Sequence, residues 1–221
     1  FKVATLSRGY KRSSKGYRLL SGTETATEAG DEPLQFKRKF KNALIAVDAD
    51  RRNGIEKLQQ ENAEIVLLDD AFQHRKVQAG LNILLTAYGD LYVNDFMLPT
   101  GYLRDYGEEI ISETTIAPLS SLKDKNFTLV TGIANPKPLT DYLEAQELDF
   151  KHLAFNDHHN FTNTEIVRLQ KESLLLTTEK DYVRLRENFE NGQLFYLPVK
   201  TSFLNKEEVF KQEILSFAHK K

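Results

Sequence analysis

An α/β fold with mostly parallel sheets flanked by helices is predicted by two features of the chain. Short runs rich in Val, Ile and Leu alternate with stretches of helical length, and turns bearing Gly, Asp or Pro separate them. The run Ile65-Val66-Leu67-Leu68 is apolar throughout rather than alternating. That pattern suits a parallel strand buried on both faces.

The elements follow in order. Residues 2–6 read as a strand, and a polar, Gly-containing loop runs on to residue 30. Residues 31–42 predict a helix, 43–47 a strand, 51–62 a helix and 64–70 a strand. Residues 82–87 predict a further strand, and 88–126 read as irregular. The alternation resumes with a strand at 127–133 and a helix at 138–147. Strands at 150–155 and 174–178 flank a helix opened by the capping box Thr162-Asn163-Thr164-Glu165. A helix at 179–188, a strand at 193–199 and a helix at 206–219 complete the chain, the last carrying Val209, Phe210, Ile214 and Phe217 among charges. The polar stretch at 118–125 separates two alternating blocks and predicts domains at 1–122 and 123–221.

Bulk composition narrows the class. The 221 residues suffice for one large α/β domain or two small ones, and 40% hydrophobic with 28% charged residues is ordinary for a globular protein. A net charge of −2 supplies no global field for nucleic acid. The absence of Cys removes disulfides, thiolate metal sites and Cys nucleophiles. No apolar run approaches the roughly 18 residues that span a bilayer. The chain opens at Phe1, and its one Met is Met97, so an upstream segment is expected.

Several constellations carry chemistry. Asp69 and Asp70 end the 64–70 strand, where ligands bind in open α/β sheets, and paired carboxylates there suit Mg²⁺; they equally suit a turn that caps the next helix. Ser7-Arg8-Gly9-Tyr10 ends the first strand and is followed by Lys11, Arg12, Lys15 and Arg18, a loop fit for phosphates or an anionic surface, or merely solvated. Asp31 in Gly30-Asp31-Glu32-Pro33 starts a helix, where an acid is favoured by the dipole, yet it stands where a general base could reach a hydroxyl. Asp157-His158-His159 follows a strand and could relay a proton, bind a metal or simply form a surface loop. Leu98-Pro99-Thr100-Gly101-Tyr102-Leu103-Arg104-Asp105 delivers Arg104, a phosphate fork, beside Asp105, its alternative ion-pair partner. Thr177-Thr178-Glu179-Lys180-Asp181 reads mainly as a strand end and helix cap.

Together with Gly132-Ile133-Ala134-Asn135-Pro136, these segments, taken in their order along the chain, resemble the tetraacyldisaccharide 4′-kinases, over residues 7 to about 198. The resemblance implies a P-loop-NTPase-like core with a second, smaller α/β lobe. It implies transfer of the ATP γ-phosphoryl group to the 4′-hydroxyl of a tetraacylated glucosamine disaccharide 1-phosphate, with Mg²⁺, at the cytoplasmic face of the bacterial inner membrane. By the same resemblance Asp31 is the catalytic base and His158 assists it. Asp69 and Asp70 stand on the Mg²⁺ side, and Arg8, Arg104 and Asp105 line the substrate. The partners implied are the lipid A precursor and a membrane surface, with no nucleic acid. Two other readings of the same residues remain: a metal-dependent phosphoesterase built on Asp69, Asp70 and the Asp157-His158-His159 triplet, and a non-catalytic nucleotide- or lipid-binding module.

The sequence departs from the family pattern in places. No Gly-x-x-x-x-Gly-Lys-Ser/Thr loop occurs in the 221 residues, and the resemblance places one just upstream of Phe1, after a membrane-associating helix. The segment between Arg104 and Gly132 is short for the family, with an abrupt join at 107–112. Ala71 stands for a usual Gly, and Asp105-Tyr106 for a usual Glu-Pro.

Overall fold

In the computed structural model, which describes residues 1–71, 74–83, 102–203 and 205–220, the described strands form a four-stranded, a six-stranded and a two-stranded sheet. Contacts divide the chain into Phe1–Leu103 with Thr201–Lys221, and Arg104–Lys200.

The first unit is built on β1 (Val3–Ser7). The two-residue β2 (Arg18–Leu19), the short α1 (Ala26–Ala29) and α2 (Asp31–Lys39) follow, then β3 (Leu44–Val47), α3 (Arg51–Gln60) and β4 (Ile65–Leu68). The sheet order is β2-β3-β1-β4, with β1 parallel to both β3 and β4 and β2 antiparallel to β3. Ala4, Leu6 and Ala46 present one face to Leu58 and Ile55 of α3. Gly54 allows the approach, because a Cβ there would lie 2.7 Å from Leu6 Cδ2 and 3.2 Å from Asp48 Cβ. Among the described residues β4 is an edge strand, and Leu67 is 52% exposed, so it is not buried on both faces as its composition predicts.

The second unit begins in β5 (Tyr102–Tyr106) and continues with β6 (Glu109–Ile111), β7 (Ile116–Pro118) and a 3₁₀ turn at Leu119–Leu122. Next come β8 (Phe127–Thr131), α4 (Lys137–Ala145), β9 (Phe150–Ala154), α5 (Asn163–Leu169), β10 (Leu175–Thr178), α6 (Glu179–Leu185) and β11 (Leu194–Leu197). The strand order is β7-β6-β11-β10-β8-β9, parallel from β11 to β9. Strand periodicity separates two cores. Leu129 and Leu176 point to Leu139 and Leu143 of α4, whereas Val130 and Leu175 point to Leu169 of α5 and to Tyr182 and Leu185 of α6. Each such leucine contributes about 2 kcal/mol by burial. The capping box of α5 forms, with Thr162 accepting from the Glu165 amide and Glu165 accepting from the Thr162 amide.

Helices on both faces of mostly parallel strands are the α/β arrangement expected from the sequence. The partition differs from the expected 1–122 and 123–221. Ile111 of β6 pairs antiparallel with Tyr196, which draws β6 and β7 into the second sheet and places residues 104–122 in the second unit. The final helix, α7 (Glu207–His219), returns to the first unit, where the Phe217 ring lies against Gly80 and His219 stacks edge-on with Phe1. Before it, β12 (Val199–Phe203) pairs with β5, and the unit boundary falls within both strands. The stretch 102–122, read as irregular, thus forms three short strands and a turn. Their few alternating residues give too little periodicity to detect. Of the expected strand at 82–87, residues 84–87 lie outside those described.

Candidate active site

In the first unit the carboxyl ends of β1, β3 and β4 converge. Ser7, the last residue of β1, donates from Oγ to Asp69 Oδ2 at 3.1 Å, and its carbonyl accepts from the Asp48 amide at 3.0 Å. Asp48 is 3% exposed; its carboxylate takes the Asp50 amide at 3.0 Å and Asn53 Nδ2 at 2.6 Å. Arg51, equally buried, donates from Nη1 to the Asp48 carbonyl (3.2 Å) and from Nη2 to the Asp69 carbonyl (2.7 Å). One guanidinium therefore spans two strand ends. Burial pushes its pKa below the ordinary arginine value, opposed by the charge of Asp69. Asp70 has φ +46°, a left-handed turn that carries the chain out of β4.

The loop after β1 folds back over α1. Ser13 and Ser14 bond the Thr27 and Glu28 carbonyls, and Arg12 turns inward to Ser14 and the Gly16 carbonyl. Gly30, at φ +90°, packs on this loop: a Cβ would lie 3.4 Å from Gly9 Cα. Two motifs distant in sequence are thereby joined, and Asp31 opens α2 beside the exposed Arg8 loop.

The donor set suits a hard cation, since Ser7, Asp48, Asp69 and Asp70 offer only oxygen. Among the described residues no three His, Cys, Asp or Glu side chains form a metal cluster. Asp48 is spent on the Asp50 amide and Asn53, which leaves Asp69 and Asp70, and one or two carboxylates are what Mg²⁺ held together with a phosphate takes from a protein.

In the second unit three motifs meet at Asp181, which is fully buried. Its Oδ2 accepts from the Gly132 amide (2.8 Å) and Thr178 Oγ1 (2.7 Å), and Oδ1 accepts from Arg184 Nη1 (3.0 Å). Gly132 has to lack a side chain, since a Cβ would stand 2.9 Å from Asp181 Oδ1. His158, at φ +55°, is clipped to the Gly132 carbonyl by its own amide at 3.1 Å. Its ring lies between Arg184 Nη2, 3.1 Å from Nδ1, and Lys180 Nζ, 3.0 Å from Nε2. Lys180 also stands 3.7 Å from Asp157. The neighbouring His159 is spent differently. It stacks on Phe155, meets Phe161 edge-on and bonds Glu165 at 3.0 Å. Hydrogen bonds from Thr162 and from His159 lower the Glu165 carboxyl to about 2.

Of the candidates read from the sequence, Ser7, Asp69 and Asp70 share one strand-end cluster, and His158 occupies a built network in the other unit. Arg104 and Asp105 fall in β5, while residues 98–101 of their motif lie outside those described. Asp48 and Arg51 were not singled out, although Leu44-Ile45-Ala46-Val47-Asp48 repeats the run-then-acid pattern of 65–69. Arg184 carried no signal beyond its place three residues after Asp181. The cap reading of 177–181 holds, with Thr178 capping α6, but Asp181 also anchors the His158 surroundings. The metal-ligand reading of the Asp157-His158-His159 triplet is disfavoured, because cations stand 3.0 and 3.1 Å from the two ring nitrogens of His158, nearer than the Asp157 carboxylate at 3.8 Å from Nε2, and His159 is bound to Glu165.

A family model of tetraacyldisaccharide-1-P 4′-kinases matches residues 1–116 and 107–219. Similar proteins include the tetraacyldisaccharide 4′-kinases of Flavobacterium psychrophilum, 39% identical over 98% of this chain and 78% of that one, and of Bacteroides fragilis, 33% identical over 98% and 76%. The alignments run to 270 and 286 residues against 221 in the chain, so the relatives carry internal residues that it lacks. The two matched stretches meet at 107–116, over the join that reads as shortened. A crystal structure of LpxK from Aquifex aeolicus in complex with ATP superposes with a TM-score of 0.76 at 26% identity, over 99% of this chain and 79% of that one.

Proposed function

The chain belongs to the tetraacyldisaccharide-1-P 4′-kinase family, and on that premise we propose how its residues divide the work of an ATP-dependent lipid A 4′-kinase. The reaction moves the γ-phosphoryl group of ATP to the 4′-hydroxyl of a tetraacylated glucosamine disaccharide 1-phosphate. Phosphoryl transfer asks a protein for positioning, charge neutralisation and a carboxylate to accept the hydroxyl proton.

Asp69 and Asp70 form the metal side. The observation that carries this assignment is the Ser7–Asp69 bond at the ends of two adjacent parallel strands, with Arg51 tying in the third. Mg²⁺ bound there would supply charge neutralisation of the phosphates. Asp31 is the base that accepts the 4′-hydroxyl proton, and its place beside the Gly9 loop at the carboxyl end of β1 supports that role. His158 assists Asp31, and Arg8, Arg104 and Asp105 contact the acceptor or the phosphates.

The acceptor's acyl chains lie in a bilayer, so we place the protein at the cytoplasmic face of the inner membrane, working on a lipid surface. The exposed Tyr10 with Arg8, Lys11 and Lys15 supports this reading, since a loop of that charge suits anionic headgroups. Among the described residues no helix is long and apolar enough to cross a membrane. Co-sedimentation of full-length protein with vesicles containing phosphatidylglycerol, lost on Lys11→Glu with Lys15→Glu, tests it; equal binding of the variant removes this loop from the account.

The activity is tested by incubating full-length protein, any upstream segment included, with Mg·ATP and the acceptor. Phosphorus NMR of the product should show a new monoester at the 4′ position beside an unchanged 1-phosphate. Release of the 1-phosphate instead would favour the phosphoesterase.

A further inference from the structure

The Lys180 and Arg184 side chains cannot both hydrogen-bond a neutral imidazole by donation, and that conflict decides how His158 works. A guanidinium and an ammonium are donors only, whereas a neutral imidazole has one N–H and one lone pair. Arg184 is the fixed partner of the two. Its side chain is 6% exposed and bound to the fully buried Asp181, whereas Lys180 is 21% exposed and has Asp157 as an alternative partner 3.7 Å away. Asp181 also binds the Gly132 amide, and the Gly132 carbonyl holds the His158 amide. A single buried carboxylate therefore governs both the backbone and the ring of His158.

We propose that Asp181 and Arg184 are positioning residues for the phosphoryl transfer, with Arg184 taking the Nδ1 lone pair of His158 so that the ring presents Nε2–H as its working face. Lys180 is the displaceable group, moving to Asp157 when Nε2–H is engaged. His158 then acts as a hydrogen-bond donor that orients a carboxylate or a substrate oxygen. It does not collect the hydroxyl proton, because the only lone pair is held by a guanidinium. The kinetic consequences rest on the kinase reading above; the tautomer does not. Asp-to-His orientation is a familiar device for fixing an imidazole, and here the orienting group is an arginine, which selects the opposite nitrogen.

The test uses full-length protein labelled with ¹⁵N in the His rings, with the His158 signals assigned through His158→Gln. A long-range ¹H–¹⁵N spectrum of the wild type should show a single Nε2–H tautomer, and Arg184→Met should give a mixture. The same substitution should lower kcat by about tenfold to a hundredfold and leave KM for ATP within about twofold. In a His158→Gln background Arg184→Met should cost nothing further, since it acts through that ring. A wild-type ring protonated on Nδ1, or on both nitrogens, overturns the proposal, and this reading needs no variant to fold. An Arg184→Met loss that persists undiminished in the His158→Gln background, or no loss at all, also overturns it. If the wild type transfers no phosphate, the kinase reading fails while the spectrum still decides the tautomer.

Discussion

Ser7 Oγ donates to Asp69 Oδ2 at 3.1 Å, binding the last residue of one strand to the first residue beyond its parallel neighbour. Ser7 is 2% exposed and Asp69 half-buried, so the bond is held from the buried side and fixes one carboxylate oxygen while leaving the other for a ligand.

Removing that hydroxyl should loosen the metal side without unfolding the protein. A charge-assisted hydrogen bond of this kind contributes about 1.5–3 kcal/mol, and misaligned metal-side carboxylates typically lose about tenfold in affinity or more. Ser7→Ala should raise the Mg²⁺ concentration for half-maximal activity by about tenfold, read from a magnesium titration at saturating ATP. An unchanged titration curve would detach Asp69 from the metal.

Gly54→Ala tests how closely α3 lies on β1. Alanine gains about 1 kcal/mol in helix propensity over glycine, but its Cβ would sit 2.7 and 2.8 Å from the two Leu6 methyl carbons. Overpacking of this kind costs about 1–3 kcal/mol. The net effect should be a lower melting temperature, with activity falling too because Asp48 and Arg51 ride on the displaced segment. A raised melting temperature would mean that the helix moves aside freely.

Glu165 supplies a pH dependence of defined sign. Its carboxyl is lowered from 4.5 to about 2 by hydrogen bonds from Thr162 and His159. A depressed carboxylate stabilises the fold fully above the unfolded value, and the contribution disappears as the pH falls from about 4.5 toward 2. Glu165→Gln should therefore flatten the dependence of stability on pH in that window, measured by denaturant unfolding at a series of pH values. A slope equal to the wild type's would show that Glu165 has no special environment. Thr162→Ala should cost about 1 kcal/mol through loss of the cap, or a shift of about 2–4 °C.

The sequence made the class of fold legible because parallel strands are continuous apolar runs and their helices are capped: Ile45 to Val47, Leu175 to Thr178 and Thr162-Glu165 stand in place as read. Residues 102–122 were not legible, since three strands of three to five residues hold too few side chains to show a period. The return of α7 to the first unit is a long-range contact of Phe217 with Gly80, which no local pattern encodes. Asp69 and His158 stood out because acids and histidines at strand ends are chemically conspicuous. Arg51 and Arg184 did not, because a buried arginine looks like a surface arginine until the carbonyl or carboxylate that it binds is known.

The proposed role of Asp31 as the base that accepts the 4′-hydroxyl proton has a decisive test. The most direct measurement is kcat for transfer from ATP to the disaccharide 1-phosphate by full-length wild type and by Asp31→Asn, an isosteric change that removes only the base. General-base catalysis contributes about 10²–10⁴-fold, so kcat should fall by at least about a hundredfold while ATP still binds with near wild-type affinity. Retention of full kcat by Asp31→Asn would show that Asp31 is not the base.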